Sequence, residues 1–236
     1  RFRNVTGVQT CALPILPDLA AGRTLGAFAL TEAQSGSDAA HLKTTATRDG
    51  EAFRLCGEKV WVTSGGAAGV AIVVAATRPA DAGRGLTAFL VPLDAPGIRR
   101  TPSPDSLGVR GLDCVTMTLD DVCVGPEAVL GRVDEGFAVT KRALDGGRVA
   151  IAAQALGVGR AALEEAIGYS QRREAFGHPI SVFQAIQFQL ADRATDLEAA
   201  RVLMWKAADL RDRGRSLTVE AAMAKLHASE AAHLAA

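Results

Sequence analysis

Hydrophobic residues follow two different periods along this chain, and the change falls near residue 130. Before it, short runs alternate apolar and polar residues, and segments rich in glycine, proline and aspartate separate the runs. Val115, Met117 and Leu119 lie on one side of such a run, which is the pattern of a half-buried antiparallel strand. About six or seven short strands in this space predict an antiparallel β-sandwich or barrel.

After residue 130 the apolar residues recur at intervals of three and four, which predicts helices. One stripe predicts a helix over about residues 181–212, with Pro179 and Ile180 directly before it. The stripe consists of Phe183, Ile186, Leu190, Ala194, Leu197 and Met204. Two further helices are predicted, over residues 136–170 and from near Ser216 onward. The predicted fold class is therefore α+β, a β-domain followed by an up-and-down helical bundle.

The charge balance limits the classes of molecule that this chain is expected to bind. The chain contains 26 Lys and Arg residues against 26 Asp and Glu residues, and the two signs are mixed along most of its length. A nucleic-acid or membrane-surface binder needs a basic patch, which this balance argues against. No apolar run approaches the roughly 20 residues that a membrane span needs. We therefore expect a soluble protein that binds neither nucleic acid nor a membrane.

Cysteine and histidine spacing indicates neither a disulfide framework nor a metal site. The four cysteines form no C-x-x-C pair, and the four histidines lack H-E-x-x-H or comparable spacing. A reducing cytoplasm is the expected compartment. Residues 1–15 lack the continuous apolar core of a secretory signal and match nothing that follows, so we interpret them as an artefact outside the fold.

The segment Gly157–Ala162 satisfies G-x-G-x-x-A, the fingerprint of dinucleotide-binding folds. That motif binds a pyrophosphate only where a strand turns into a helix, whereas the residues before it here predict a helix. Close packing of two helices at small residues is the preferred interpretation.

Five segments together resemble the acyl-CoA dehydrogenase family in their order and spacing. They are FALTEAQSGSDAAHLKT, GEKVWVTSGG, LGVRGLDCVTMTLDDVCV, LDGGRVAIAAQALGVGRAALEEA and QRREAFGHPISVFQAIQFQLAD. In that family an N-terminal helical domain, a middle β-domain and a C-terminal helical domain enclose FAD and an acyl-CoA thioester. The resemblance covers residues 16–236 and implies a middle domain over 16–130 and an incomplete helical domain over 131–236. The expected fold is thus truncated at both ends.

The resemblance assigns the first of these segments to the FAD site. It implies that Phe28, Leu30 and Thr31 line the cofactor, with the Thr31 hydroxyl directed at the pyrimidine edge of the flavin. Gly36 would permit close approach of the backbone, and Ser37 would contact both the FAD phosphate and the CoA ligand.

In the second segment, strand alternation predicts that Trp61 and Thr63 share one face and that Val60 and Val62 share the other. The resemblance implies that Trp61 lies against the isoalloxazine and that the Thr63 hydroxyl lies near flavin N5. A donor there stabilises the charge that arrives with a hydride.

Two further groups of residues take their implied roles from the helical segments. Asp145 and Arg148 would contact the CoA-thioester ligand, Arg148 through its pantetheine or adenine end, whereas the residues without the resemblance leave a solvated ion pair as the alternative. A second group would reach the FAD of a neighbouring subunit in a homotetramer, where a guanidinium forks onto the pyrophosphate. That group comprises Arg173, Phe176, Phe183 and Gln184. Ala175 stands where many relatives carry Thr or Gln, so one cofactor contact is expected to be lost.

The implied reaction is α,β-dehydrogenation of an acyl-CoA to a trans-2-enoyl-CoA, with electrons passed to an electron-transfer flavoprotein. A glutamate serves as base in the family, in a later loop or directly before the arginine that matches Arg148. That neighbour is Gly147 here, and Glu164 and Glu165 lie roughly 24 Å further along a helix and are expected to be surface charges. We therefore identify no catalytic residue in this chain and expect the chain alone to be inactive.

Two alternatives share these motifs. An acyl-CoA oxidase would differ in letting oxygen reach the reduced flavin. A non-enzymatic FAD-binding relative with a nucleic-acid role would need a basic patch that the neutral balance argues against. Within the family, LDGGRVAIAAQALG is most similar to short-chain or butyryl-type members.

Overall fold

The structure is a computed structural model that describes residues 14–78 and 85–236. Most of the 1–15 segment, with its predicted artefactual origin, lies outside the described residues. The chain forms two compact units, residues 1–141 and residues 142–236. The first holds a β-sheet after a short helix α1 (Leu16–Ala20), and the second holds helices and one small hairpin.

A seven-stranded sheet forms the first unit. Its strands are β1 (Gly26–Ala29), β2 (Thr45–Asp49), β3 (Ala52–Thr63), β4 (Val70–Ala76), β5 (Leu86–Pro92), β6 (Ile98–Pro102) and β7 (Cys114–Val124). Their order is β1-β4-β2-β3-β7-β6, and β5 pairs with the other edge of β4. The pairings are antiparallel except that β1 and β2 both run parallel to β4. The predicted β-domain is confirmed, as a curled sheet that is mostly antiparallel.

The core of this unit lies on one face of the curled sheet. Val115, Met117 and Leu119 are buried while the residues between them are less so, which confirms the predicted strand face. β4 and β5 are buried along almost their whole length, as their continuously apolar sequences indicate. Phe53 and Phe89 meet edge to face at the centre, with ring centroids 5.1 Å apart.

Three helices dominate the rest of the chain: α2 (Gly136–Arg172), α3 (Gln184–Asp212) and α4 (Thr218–Ala235). Their common core is built from alanines, including Ala152, Ala200, Ala224 and Ala228. Gly159 is buried in α2, where an added Cβ would lie 2.7 Å from Leu197 Cδ2 and 2.9 Å from Ala232 Cα. The G-x-G-x-x-A segment is therefore a helix-packing feature.

The predicted apolar stripe and helix start need small corrections. Ala194 is exposed, and the buried line of α3 instead runs through Leu197, Ala200 and Ala207. Pro179 belongs to a short hairpin of two strands with two residues each, β8 (Glu174–Ala175) and β9 (His178–Pro179). A 3₁₀ turn follows before α3. Proline tolerates both an edge strand and a helix entrance, so the sequence does not distinguish them. In the described ranges, none of the helices is long and apolar enough to cross a bilayer.

Candidate functional site

The segment that leaves β1 carries the first group of predicted site residues. Phe28 and Thr31 are half-buried, and Leu30 is buried. A tight turn follows, closed by reciprocal backbone hydrogen bonds between Glu32 and Ser35. The next two positions, Gly36 and Ser37, are exposed, and a Cβ added to the glycine would meet no atom within 4 Å.

A β-bulge shapes the second group. Lys59 pairs with Met117 and Val62 with Val115, so β3 carries one more residue than β7 at this point. Trp61 lies in the bulge with φ at 57°, an outlier for so bulky a residue, and its side chain is 61% exposed. Thr63 is also exposed, in agreement with a face shared with Trp61.

The bulge breaks the strict alternation that the sequence predicts. Val62 is buried, but Val60 is only half-buried. Regular alternation would place Lys59 on the face of Trp61, whereas Lys59 is fully buried. The extra residue re-aims the strand, so that the tryptophan turns outward while the lysine turns inward.

The two groups lie side by side. The Val60 N–H donates to the Thr31 carbonyl at 2.9 Å, and Lys59 Nζ donates to the Leu30 carbonyl at 3.0 Å. The predicted flavin-contacting residues of the first unit thus fall on two adjacent stretches of backbone.

A buried ion pair lies directly behind this edge. Lys59 Nζ lies 2.7 Å from Glu32 Oε1, and the two residues are 0% and 3% exposed. Burial alone would raise the pKa of Glu32, but hydrogen bonds from Lys59, from Thr44 and from the Lys43 amide, with the charge of Lys59, lower it to about 2. Burial lowers the pKa of Lys59 to about 8, against the opposing effect of Glu32. Both groups are therefore mainly charged at neutral pH.

An arginine holds the turn that follows Thr63. Arg100 Nη1 donates to the carbonyl oxygens of Gly65, Gly66 and Ala68, at 3.2, 3.0 and 3.3 Å. Such a charge-assisted contact to three carbonyls restrains the turn.

In the helical unit, Asp145 and Arg148 form an ion pair on α2. Arg148 Nη1 donates to Asp145 Oδ1 at 2.7 Å, and the Thr218 hydroxyl donates to Oδ2 at 2.7 Å. The aspartate side chain is only 11% exposed, so the pair is not a freely solvated one. With both carboxylate oxygens engaged, the aspartate fixes the orientation of the arginine.

The last group of predicted site residues surrounds the hairpin between α2 and α3. Ala175 pairs with His178, and the two residues between them, Phe176 and Gly177, have φ values of 55° and 80°. Phe176 is 93% exposed, and its ring lies edge to face with that of Phe183 at 6.1 Å. Arg173 directly precedes the hairpin and Gln184 is the first residue of α3. Both residues are exposed as well.

Comparison with known proteins matches both units to one family. Residues 27–122 match the model for the acyl-CoA dehydrogenase middle domain, and residues 134–236 match that for the acyl-CoA dehydrogenase C-terminal domain. The chain belongs to the acyl-CoA dehydrogenase family.

The relatives that match this chain are longer than the chain itself. It is 44% identical over 211 residues to the mitochondrial short-chain specific acyl-CoA dehydrogenase of Bos taurus, covering 89% of the chain and 51% of that protein. Among solved structures it matches the butyryl-CoA dehydrogenase of Megasphaera elsdenii with a TM-score of 0.89, at 39% identity and with coverage of 95% and 62%. A glutaryl-CoA dehydrogenase from Mycobacterium smegmatis, solved in complex with FADH2, matches with a TM-score of 0.86 at 34% identity, covering 93% and 55%. The chain thus spans roughly half to three fifths of these relatives.

The residues present fit a flat, polar-edged cofactor. The exposed Trp61 offers an aromatic face, Thr63 is exposed two positions further on, and the space beside Gly36 is open. By contrast Glu164 and Glu165 are exposed and pair with arginines of the same helix, as expected of surface charges.

Sequence reasoning missed Glu32, Lys59 and Arg100, whose side chains hold the edge together. The only signal in the sequence was a lysine inside an alternating strand, two positions before the tryptophan. Without knowledge of the bulge, alternation places that lysine in solvent.

Proposed function

We propose that this chain forms the flavin-binding and thioester-binding part of an FAD-dependent acyl-CoA dehydrogenase, which converts an acyl-CoA to a trans-2-enoyl-CoA. The observation that carries the proposal is the bulge that turns the Trp61 ring outward beside Thr63, against a backbone stretch fixed at Leu30 and Thr31. Bound FAD would supply the acceptor for a hydride from the substrate.

Residues of the first unit bind and orient the flavin in this proposal. Trp61 packs on the ring, and Phe28 and Leu30 support the same edge. Hydroxyl groups of Thr31 and Thr63 donate hydrogen bonds, the latter toward the position where negative charge develops. Gly36 and Ser37 receive the phosphate and the near end of the CoA ligand.

Residues of the helical unit contact the substrate and a neighbouring cofactor in this proposal. Arg148 binds the CoA moiety, and Asp145 holds its guanidinium in place, since both carboxylate oxygens are already engaged. Arg173 with Phe176, together with Phe183 and Gln184, would reach the FAD of another subunit in a homotetramer. The exposure of Phe176 on a left-handed backbone supports a binding role rather than a packing role.

The α-proton would need a base, and the position before Arg148 is Gly147. We therefore propose that the 236-residue chain alone retains flavin-binding chemistry without turnover. Transfer of electrons to an electron-transfer flavoprotein, a short acyl chain and a cytoplasmic location are proposed from the family resemblance and cysteine usage. An acyl-CoA oxidase is the second candidate, and peroxide formation would distinguish it.

The test of the flavin site uses two exposed tryptophans as a matched pair. Trp61 is 61% exposed on the bulge, and Trp205 is 64% exposed on α3. Titration of the chain with FAD should give saturable binding with a perturbed flavin absorption spectrum. Trp61→Ala should raise the FAD Kd by about tenfold or more, because a large aromatic contact is lost, and Trp205→Ala should leave it within about twofold.

Full FAD occupancy with an unchanged spectrum in the Trp61→Ala variant would contradict the assignment. Equal losses in both variants would point to a general effect of removing a tryptophan.

A further inference from the structure

The buried Lys59–Glu32 pair has no part in the roles proposed so far. Lys59 is fully buried in β3, and Glu32 is 3% exposed in the turn after β1. Buried ion pairs are weak contributors to stability, because the cost of removing two charges from water offsets much of their attraction. Stability alone therefore does not explain why an ion pair is buried at this position.

Three stretches of backbone converge on the pair. The lysine ammonium donates to the Leu30 carbonyl at 3.0 Å as well as to Glu32. The Glu32 carboxylate accepts from the backbone amides of Lys43 and Thr44, at 2.6 and 3.0 Å. The pair thus ties the strand-end segment at residues 30–32 to β3 and to the approach to β2.

The residues next to these contacts are those proposed to touch the flavin. Thr31 follows the bonded carbonyl of Leu30, and Trp61 lies two positions after Lys59. A left-handed backbone at a bulky residue persists only where its surroundings hold it. The contacts of the pair reach both sides of this edge, beside the Val60–Thr31 backbone hydrogen bond.

We infer that Lys59 and Glu32 form a positioning pair, which fixes the backbone of the 30–31 segment against the Trp61 bulge and thereby sets the geometry of the flavin edge. The inference rests on the proposed function for its last step, because the edge has to bind a flavin. It assigns both residues a role through the backbone they hold, without contact to the cofactor.

The first experiment needs no FAD. Hydrogen exchange of the Val60 amide, which donates to the Thr31 carbonyl, reports directly on contact between the two stretches. Lys59→Met should accelerate this exchange by about tenfold or more relative to the amides of β4 and β5. Val91→Ala, a cavity-forming change in buried β5, is the control. It should accelerate exchange of the Val60 amide no more than exchange of the other amides of the sheet.

The second experiment is FAD titration of the same variants. Lys59→Met should raise the FAD Kd by about tenfold or more and shift the flavin spectrum toward that of free FAD, whereas folded Val91→Ala should bind within about twofold of the parent. Absence of FAD binding by the parent chain would overturn the proposed function alone, because Val60 exchange still tests the positioning.

A double variant covers the case in which Lys59→Met fails to fold. Lys59→Met with Glu32→Gln leaves no unpaired buried charge, and the glutamine oxygen keeps an acceptor for one of the two amides, Lys43 or Thr44, which bond to separate oxygens of the carboxylate. The double variant should fold, yet retain fast Val60 exchange and weak FAD binding, because the Leu30 carbonyl still lacks its donor. Parental exchange and a parental FAD spectrum in this variant would show that the pair serves stability only and would overturn the inference.

Discussion

Two aromatic residues, Trp61 and Phe176, adopt a left-handed backbone that bulky side chains avoid. Each conformation costs on the order of 1–3 kcal/mol. Because both residues are largely exposed, burial of their side chains does not offset this cost. Both are among the residues proposed to contact flavin. This strain supports the proposed binding role of the two residues, and only the structure reveals it.

The hairpin turn at Phe176 gives a direct test of this strain. A two-residue turn with positive φ at both positions favours Asn-Gly, and Gly177 is already present. Phe176→Asn should raise the free energy of unfolding by about 0.5–1 kcal/mol, with loss of the Phe183 ring contact offsetting part of the gain. Urea denaturation measures the change, and FAD affinity should fall at the same time.

Phe188→Asn is the matched control, because Phe188 is exposed within α3 and the two residue types have similar helix propensities. A stability gain of equal size in both variants, or a loss in Phe176→Asn, would show that the turn is not strained.

At the scale of elements, the helices follow closely from the sequence and the strands less so. The three- and four-residue periods predicted α2 to within two residues at its C-terminal end. The β3 bulge, the parallel pairing of β1 with β4 and the β8–β9 hairpin were not predicted, because they depend on distant partners or on backbone angles. The buried lysine was missed for the same reason, since its face depends on the bulge.

Two glycines of α2 test how closely its neighbours pack. Gly157 has open space where a Cβ would stand, so Gly157→Ala should raise the free energy of unfolding by about 0.5–1 kcal/mol through helix propensity. Gly159→Ala places its Cβ against Leu197 and the backbone of Ala232. This change should lower the free energy of unfolding by about 1–3 kcal/mol. Urea denaturation followed by helical circular dichroism measures both. Equal effects of the two changes would mean that the helices are more loosely packed than described.

At the scale of the whole molecule, family membership was readable from five separated segments, and the two units that carry them were predicted in order. Composition alone would have given only a neutral globular chain. The side-chain contacts that hold the site in place have no such sequence motif, because each joins residues far apart in sequence.

Acid should weaken the whole molecule partly through Glu32. The folded-state pKa of about 2 lies below the ordinary 4.5, so the unfolded chain binds the proton first as the pH falls. Stability from this group is present above about pH 5 and is lost toward pH 2, on the order of 3 kcal/mol in all. Unfolding free energies at pH 6 and pH 3 should differ more in the parent than in Lys59→Met/Glu32→Gln, which lacks both titrating groups. An equal pH dependence in the two proteins would contradict the low pKa of Glu32.

The burial of Lys59 also has a chemical consequence. Thioesters acylate amines, and only the unprotonated amine reacts. With its pKa lowered to about 8, Lys59 has a larger unprotonated fraction near neutral pH than an ordinary lysine, whose pKa is about 10.4. The other lysines are exposed, whereas Lys59 is enclosed. A chain proposed to bind acyl thioesters thus keeps an amine of lowered pKa enclosed beneath the binding edge, where a thioester cannot reach it.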